Sequence, residues 1–185
     1  MKKEGKNFSQ FQSKLELPFS ETDSDLLRDI FITLESEFGF KYASNQKLID
    51  LGAGSGNIVI FAATHYCIKA YGIEIDHNLV KEAKNRIKSL KKEGNHEKRL
   101  KKRIKIKQGD LFRQNLEGYD YIYIYSLPSM HKYLKHVFKT AKNGAIIISH
   151  KYPFTTFNSI MRDKHRLVHN SSKPEIYTFF YERIY

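Results

Sequence analysis

Apolar positions along this chain keep two alternating rhythms. Short apolar runs of strand length stand at KLIDL (47–51), IKAYGIEID (68–76), RIKIKQGD (103–110), YDYIYIYS (119–126) and AIIISHKY (145–152). Between them lie segments whose apolar residues recur three and four apart. In LPFSETDSDLLRDIFITLESEFG (17–39) a loop leads into a helix with the stripe Leu26, Leu27, Ile30, Phe31 and Leu34. Ser24 or Asp23 is placed to cap its start and Gly39 to end it. GNIVIFAATHY (56–66), HNLVKEAKNRIKSLKKEG (77–94) and PSMHKYLKHVFKTAKNG (128–144) predict three more helices. The middle one turns Val80, Ala83 and Ile87 toward a core, and the last has a glycine stop. Residues 164–185 predict two strands joined by a Ser/Pro turn. Strands alternating with helices specify an α/β fold with a mostly parallel sheet covered on both faces, and the closing strand pair predicts an antiparallel edge. Ligands of such sheets bind beyond the carboxyl ends of the strands, so the residues just after each strand form the candidate site.

Composition narrows the class. The length of 185 residues suits one domain. No run approaches the ~20 apolar residues of a membrane helix. The start, MKKEGKNFSQFQSK, is basic with no apolar run behind it; residues 1–16 read as a mobile basic arm before a single domain at 17–185, not as a secretory leader. The single cysteine, Cys67, excludes an internal disulfide framework and a Cys-rich zinc site. It predicts a small buried hydrophobe and a cytoplasmic, reducing setting. No His/Asp/Glu set has metal spacing, and no Ser/His/Asp set is evident. The net charge is +12, and residues 91–107 (KKEGNHEKRLKKRIKIK) carry nine lysines and arginines against two glutamates. Such a block attracts nucleic acid or another anionic surface, or is simply a solvated face.

Chemistry enters with DLGAGSG. Gly52, Gly54 and Gly56 follow the first strand and open a helix, leaving backbone N–H groups uncovered for a ligand. This is not the dinucleotide fingerprint, because residue 57 is Asn, and no Gly-Lys-Ser/Thr follows to make a phosphate loop. A G-x-G-x-G turn led by Asp50, with Ala53 inside it, suits a ligand without a pyrophosphate. After the second strand, the Glu74 carboxylate is placed to accept from two ribose hydroxyls, with Ile75 beside it. Asp76 competes for that role or caps the helix starting at His77. After the third strand, Asp110 of QGDLF can accept an adenine amine, with Leu111 and Phe112 against the ring, or can cap its own loop.

The order DLGAGSG, GIEID, QGDLF resembles the class I S-adenosylmethionine-dependent methyltransferases across residues 24–185. The resemblance implies a Rossmann-like seven-stranded sheet, the last strand antiparallel, with S-adenosyl-L-methionine as cofactor. It places the glycine turn on the methionine part, Asp50 near its amino group, Glu74 on the ribose and Asp110 toward the adenine, with Tyr125 joining the cofactor set. SLPSMHKYLKHVF (126–138) and GAIIISHKYPF (144–154) resemble a narrower group, the compact archaeal protein lysine methyltransferases and their mitochondrial relatives acting on the ATP synthase c-subunit and the adenine nucleotide carrier. Leu127, Pro128, Met130, Tyr152, Pro153 and Phe154 match its Leu/Val-Pro-x-Met and aromatic-Pro-Phe segments. The chain departs from that group in LPFSETD (17–23), where Pro18 is displaced. It departs again at Ser126, where an acid or asparagine is usual, and at His150 and Lys151.

Methyl transfer from a sulfonium is an in-line displacement that needs positioning and a nucleophile with a lone pair. A lysine amine, with a pKa near ~10.4, must first lose a proton, which apolar walls favour. Ser126, Leu127, Pro128, His150 and Tyr152 are the candidate residues around that amine. Ser126 offers a hydroxyl or carbonyl, His150 is a base or a structural ring, and a Tyr face suits a methylammonium. Tyr121 and Tyr123 read as strand packing, and His131 and His136 as surface positions. The resemblance makes a protein lysine the favoured partner. The alternatives are RNA, drawn by the basic block, and a non-catalytic cofactor-binding module. SLPS lacks the Asn/Asp-Pro-Pro-aromatic segment of nucleic-acid amino methyltransferases.

Overall fold

The computed structural model describes residues 24–92, 102–169 and 175–185. The N-terminal arm, the LPFSETD segment and residues 93–101 of the basic block lie outside them. In chain order the elements are α1 (Ser24–Phe38), β1 (Lys47–Leu51), α2 (Asn57–His65), β2 (Lys69–Glu74), α3 (His77–Lys92) and β3 (Ile104–Gln108). A 3-10 turn (Leu111–Arg113) follows, then β4 (Tyr121–Ile124), α4 (Pro128–Phe138), β5 (Ile146–His150), β6 (Met161–His169) and β7 (Ile176–Arg183).

The seven strands form one sheet in the order β3-β2-β1-β4-β5-β7-β6. Strands β1 to β5 pair in parallel, and β7 runs antiparallel to both β5 and β6. The closing pair is thus more than an edge. β7 inserts between β5 and β6, and β6 is the outer strand. The expected seven-stranded sheet is present, with β7 antiparallel.

Strand β4 shows why helices cover both faces. All four of its residues are buried. Tyr121 and Tyr123 point into the cluster built with Ile30, Phe31 and Leu34 of α1, Ile58 and Val59 of α2, and Val80, Ala83 and Ile87 of α3. Ile122 and Ile124 point the other way, onto Leu134, Val137 and Phe138 of α4. Period-2 alternation sends successive side chains to opposite layers. Each such buried aliphatic contributes ~1.5–3 kcal/mol. The α1 stripe read from spacing, Leu26 through Leu34, is buried throughout. Gly39 follows the helix at φ +66, the left-handed conformation that ends it.

Two expectations need correction. The helix predicted through residue 144 ends at Phe138. Thr140 donates its hydroxyl to the Val137 carbonyl at 2.7 Å and accepts from the Leu116 N–H at 2.8 Å, so a side chain takes over the terminal bonding. Cys67 is half-buried at φ +55, with Sγ 3.3 Å from the Tyr42 hydroxyl. The left-handed turn between α2 and β2 carries it out of the core. Among the described residues, no helix is long and apolar enough to cross a membrane.

Candidate active site

The glycine turn sits directly on β2. Gly52, Gly54 and Gly56 all have positive φ, at 93°, 53° and 88°. The Gly52 and Ala53 N–H groups both donate to the Ile73 carbonyl, at 2.8 and 2.9 Å. That close approach depends on Gly72: a Cβ there would stand 2.7 Å from the Ala53 Cβ and 3.2 Å from both Val59 and Ile106. From α3, Arg86 donates to the Ser55 carbonyl at 3.2 Å and to its hydroxyl at 2.6 Å, strapping the turn from outside. Sequence reading missed Gly72 and Arg86. A glycine inside a strand was the available signal for the first; an arginine on an amphipathic helix gives none.

Four carboxylates follow at the same sheet edge. Asp50 is buried and in register with Gly72 on one side and Tyr123 on the other. Burial, then the neighbouring Glu74 charge, raises its pKa well above the usual carboxylate range. Glu74 is buried too, and its carboxylate bridges two segments: one oxygen accepts from Gly54 N–H at 2.8 Å, the other from Ile75 and Asp76 N–H at 2.7 and 2.9 Å. Asp76 instead accepts from the Asn78 and Leu79 N–H groups at 2.7 and 3.1 Å, capping α3. Asp110 caps the 3-10 turn through Phe112 N–H at 2.8 Å and lies 3.7 Å from the Arg113 guanidinium. Leu111 reaches over the glycine turn, 3.9 Å from where a Gly52 Cβ would stand, and Ile75 is exposed just past the end of β2. Phe112 turns inward onto Leu116 and Tyr133, so Leu111 alone of that pair faces the turn.

Past β4 and β5 the surface becomes aromatic. Pro128 opens α4 in its first turn, and Leu127 precedes it in extended backbone, which fits a ring that supplies no N–H. Ser126 is buried. Its carbonyl accepts from His131 Nε2 at 3.3 Å, while its hydroxyl has no hydrogen-bond partner among the described residues. His131 is therefore not a surface position: it is buried, edge-on to Phe154 at 4.7 Å, and burial lowers its pKa. His136 is exposed, donating to the Phe112 carbonyl at 2.7 Å.

His150 ends β5, buried, with its ring nearly perpendicular to Tyr125 at 5.4 Å. Tyr125 also stacks with Tyr152 at 6.2 Å. Lys151, at φ +71, donates from Nζ to the Tyr125 hydroxyl at 3.3 Å and lies 5.8 Å over its ring. Burial first, then the charges of His169 and Lys151, bring the His150 pKa down to about 4. The ring is neutral at pH 7, an acceptor rather than a charged group. Phe154 fixes the segment that carries Tyr152: its N–H donates to the Tyr181 hydroxyl at 2.9 Å and its ring packs on Phe138 and Phe157.

The candidate residues thus divide between a cradle at β1–β3, with backbone donors and carboxylates, and an aromatic wall at β4–β5, with neutral polar acceptors. Among the described residues no cluster of His, Cys, Asp and Glu can hold a metal.

Comparison with known proteins places the chain in a family and a fold. The family model of the ANTKMT methyltransferase domain matches residues 50–160. A protein-lysine N-methyltransferase from Saccharolobus islandicus (strain REY15A) is 27% identical over 120 residues, 64% of this chain and 70% of the relative. The fold is similar to an RNA methyltransferase from Salinibacter ruber in complex with S-adenosyl-L-homocysteine, with a TM-score of 0.68 and 22% identity, covering 89% of this chain and 94% of that one. It is also similar to magnesium protoporphyrin IX methyltransferase from Synechocystis with bound S-adenosylmethionine, with a TM-score of 0.65 and 12% identity over 96% and 91%.

Proposed function

This chain belongs to the ANTKMT methyltransferase domain family and is an S-adenosylmethionine-dependent methyltransferase; from that premise we propose that its acceptor is the side-chain amine of a lysine in a protein. The name of the Saccharolobus relative supports the substrate class. The observation that carries it in this molecule is Tyr125. It already receives a lysine ammonium, that of Lys151, on its hydroxyl and ring face, and it stands next in the chain to Ser126, whose buried hydroxyl has no partner among the described residues.

The cradle fits the cofactor. The Gly52–Gly56 turn, with Ala53, presents main chain where a Cβ at Gly56 would strike Ile106 at 2.8 Å. Asp50, whose pKa burial raises, would be drawn toward its ionised form by a cationic amino group. Glu74 spends three of its roughly four acceptor positions on backbone donors and keeps one for a ribose hydroxyl, and Ile75, Leu111 and Asp110 would line the adenine. When bound, S-adenosylmethionine supplies an electrophilic methyl group on a sulfonium.

The rest is the work of the side chains. Leu127 and Pro128 shape the mouth, and the Tyr125 and Tyr152 rings disfavour bulk water around the amine, which lowers the cost of its neutral form. Ser126 and His150 each accept one amine N–H, leaving the nitrogen lone pair for in-line attack. The proton shed beforehand goes to solvent. The two tyrosine faces then hold the methylammonium product by cation–π attraction, ~0.5–2 kcal/mol.

Tritiated cofactor added to a cell extract with the protein tests this. Label that survives ribonuclease, is lost to protease and is recovered as methyllysine after hydrolysis is the expected outcome. Label removed by ribonuclease would establish RNA as the acceptor and overturn the lysine reading. Cofactor binding with no transfer to either would point to a binding module.

A further inference from the structure

Behind His150 runs a buried chain of polar side chains that the cofactor and substrate roles leave unexplained. His150 stands in register with Thr178 of β7, and its Nδ1 lies 2.9 Å from the Thr178 hydroxyl. Thr178 is in register with Leu167 of β6. His169, two positions on and on the same face, reaches diagonally to the same hydroxyl, with Nε2 at 2.9 Å. Its other nitrogen, Nδ1, lies 3.5 Å from the Asp29 carboxylate of α1. Thr178 and His169 are fully buried and His150 nearly so, while the Asp29 side chain is 46% exposed. The chain therefore leads from the end of β5 through three elements to solvent.

A threonine hydroxyl has one proton. Between two imidazole nitrogens it donates to one and accepts from the other, so the two rings must carry their protons on opposite sides of the bridge. Asp29 decides the direction. The negative charge of a carboxylate 3.5 Å from His169 Nδ1 favours the proton there. Burial lowers the pKa of both rings, on His169 against the pull of Asp29, and so favours their neutral forms; a neutral His169 with its proton on Nδ1 leaves Nε2 bare. Thr178 then donates to His169 Nε2 and accepts from His150 Nδ1–H, which leaves His150 Nε2 without a proton.

We propose that Asp29, His169 and Thr178 are positioning residues that lock His150 in its Nδ1–H tautomer, so that Nε2 is always an acceptor for an N–H of the incoming lysine amine. The use of that acceptor rests on the lysine reading above; the lock itself does not. A His150 ring in the opposite tautomer would offer an N–H to an amine that must keep its lone pair for the methyl carbon, and would hold it unproductively.

The test reads the ring directly. Long-range 15N–1H spectra of the full chain with S-adenosyl-L-homocysteine bound, His150 being assigned by its absence in His150→Gln, should show the Nδ1–H form at pH 7.5. Thr178→Val should shift His150 toward the Nε2–H form and lower kcat for lysine methylation about tenfold. Cofactor affinity measured by calorimetry should change less than twofold, and Thr178→Ser should restore both tautomer and kcat. If Thr178→Val folds poorly, Asp29→Asn, at the exposed end, should produce the same tautomer shift in smaller measure. An Nε2–H ring in the wild-type protein, or a tautomer unmoved by either variant, overturns the lock whatever the substrate proves to be. The Nδ1–H form in a protein that methylates no lysine supports the lock and overturns its assigned use.

Discussion

At the scale of single residues, Asp50 opposes stability to function. A buried carboxyl beside Glu74 is costly to ionise, and its pKa is raised accordingly. As pH rises through the ordinary carboxylate range, the unfolded chain ionises this group first. The folded state therefore loses stability from there up to the raised pKa, and that loss persists above it. Asp50→Asn should raise the melting temperature of the cofactor-free protein at pH 7 by a few degrees, yet weaken S-adenosylmethionine binding at least tenfold in calorimetry. A variant less stable than wild type at pH 7 would reject this account. The Glu74 and Asp76 pair gives a second prediction. Asp76→Ala should cost ~1 kcal/mol of stability through the lost cap and leave cofactor affinity nearly unchanged. Glu74→Ala should weaken cofactor binding more than tenfold; equal affinities in the two variants would mean that the ribose is held elsewhere. The sequence offered both acids at one strand end. Only the hydrogen bonds to Gly54 on one side and to Asn78 and Leu79 on the other divide their roles.

At the scale of elements, the cradle is a turn seated on a strand, and Gly72 is its seat. Gly72→Ala must move Ala53, Val59 and Ile106 together, all of them buried. It should destabilise the fold by ~1–3 kcal/mol, read by urea denaturation, and weaken cofactor binding with it. An unchanged midpoint would show that the turn is free to lift off β2. Much at this scale was legible. The glycine spacing, the α1 stripe and the Tyr/Ile alternation of β4 each follow from a local period, and each is where its period put it. What local periods do not encode was missed. Arg86 reads like any solvated helix residue until Ser55 is found beside it. His131 falls among polar neighbours in sequence but turns its ring to Phe154. Thr140 ends a helix with a hydroxyl bonded to Leu116, far away in the chain.

At the scale of the whole molecule, three buried histidines set a lower pH limit. His131, His150 and His169 all titrate below the ordinary imidazole range because burial disfavours their charged forms. The unfolded chain takes up those protons near ~6.5 and the folded chain only further down, so stability is full above that pH and is lost as pH falls. For His150 the window runs down to about 4, a loss on the order of 3 kcal/mol. Melting temperature against pH should fall across that range in the wild type and fall less steeply in His150→Gln; parallel curves would show that the ring titrates in the native state as it does in the unfolded chain. The histidines stood in plain view in the sequence, but the bridge that joins two of them did not, because it exists only once β7 lies between β5 and β6. That strand order has a consequence for biogenesis. β6 leaves the ribosome before β7 and has no partner strand of its own on the nascent sheet, since β5 pairs with β4 and β7 and not with β6. A β6–β7 hairpin formed first can close the sheet as one piece, so strands β1 to β5 can assemble before the Thr178 bridge behind His150 exists.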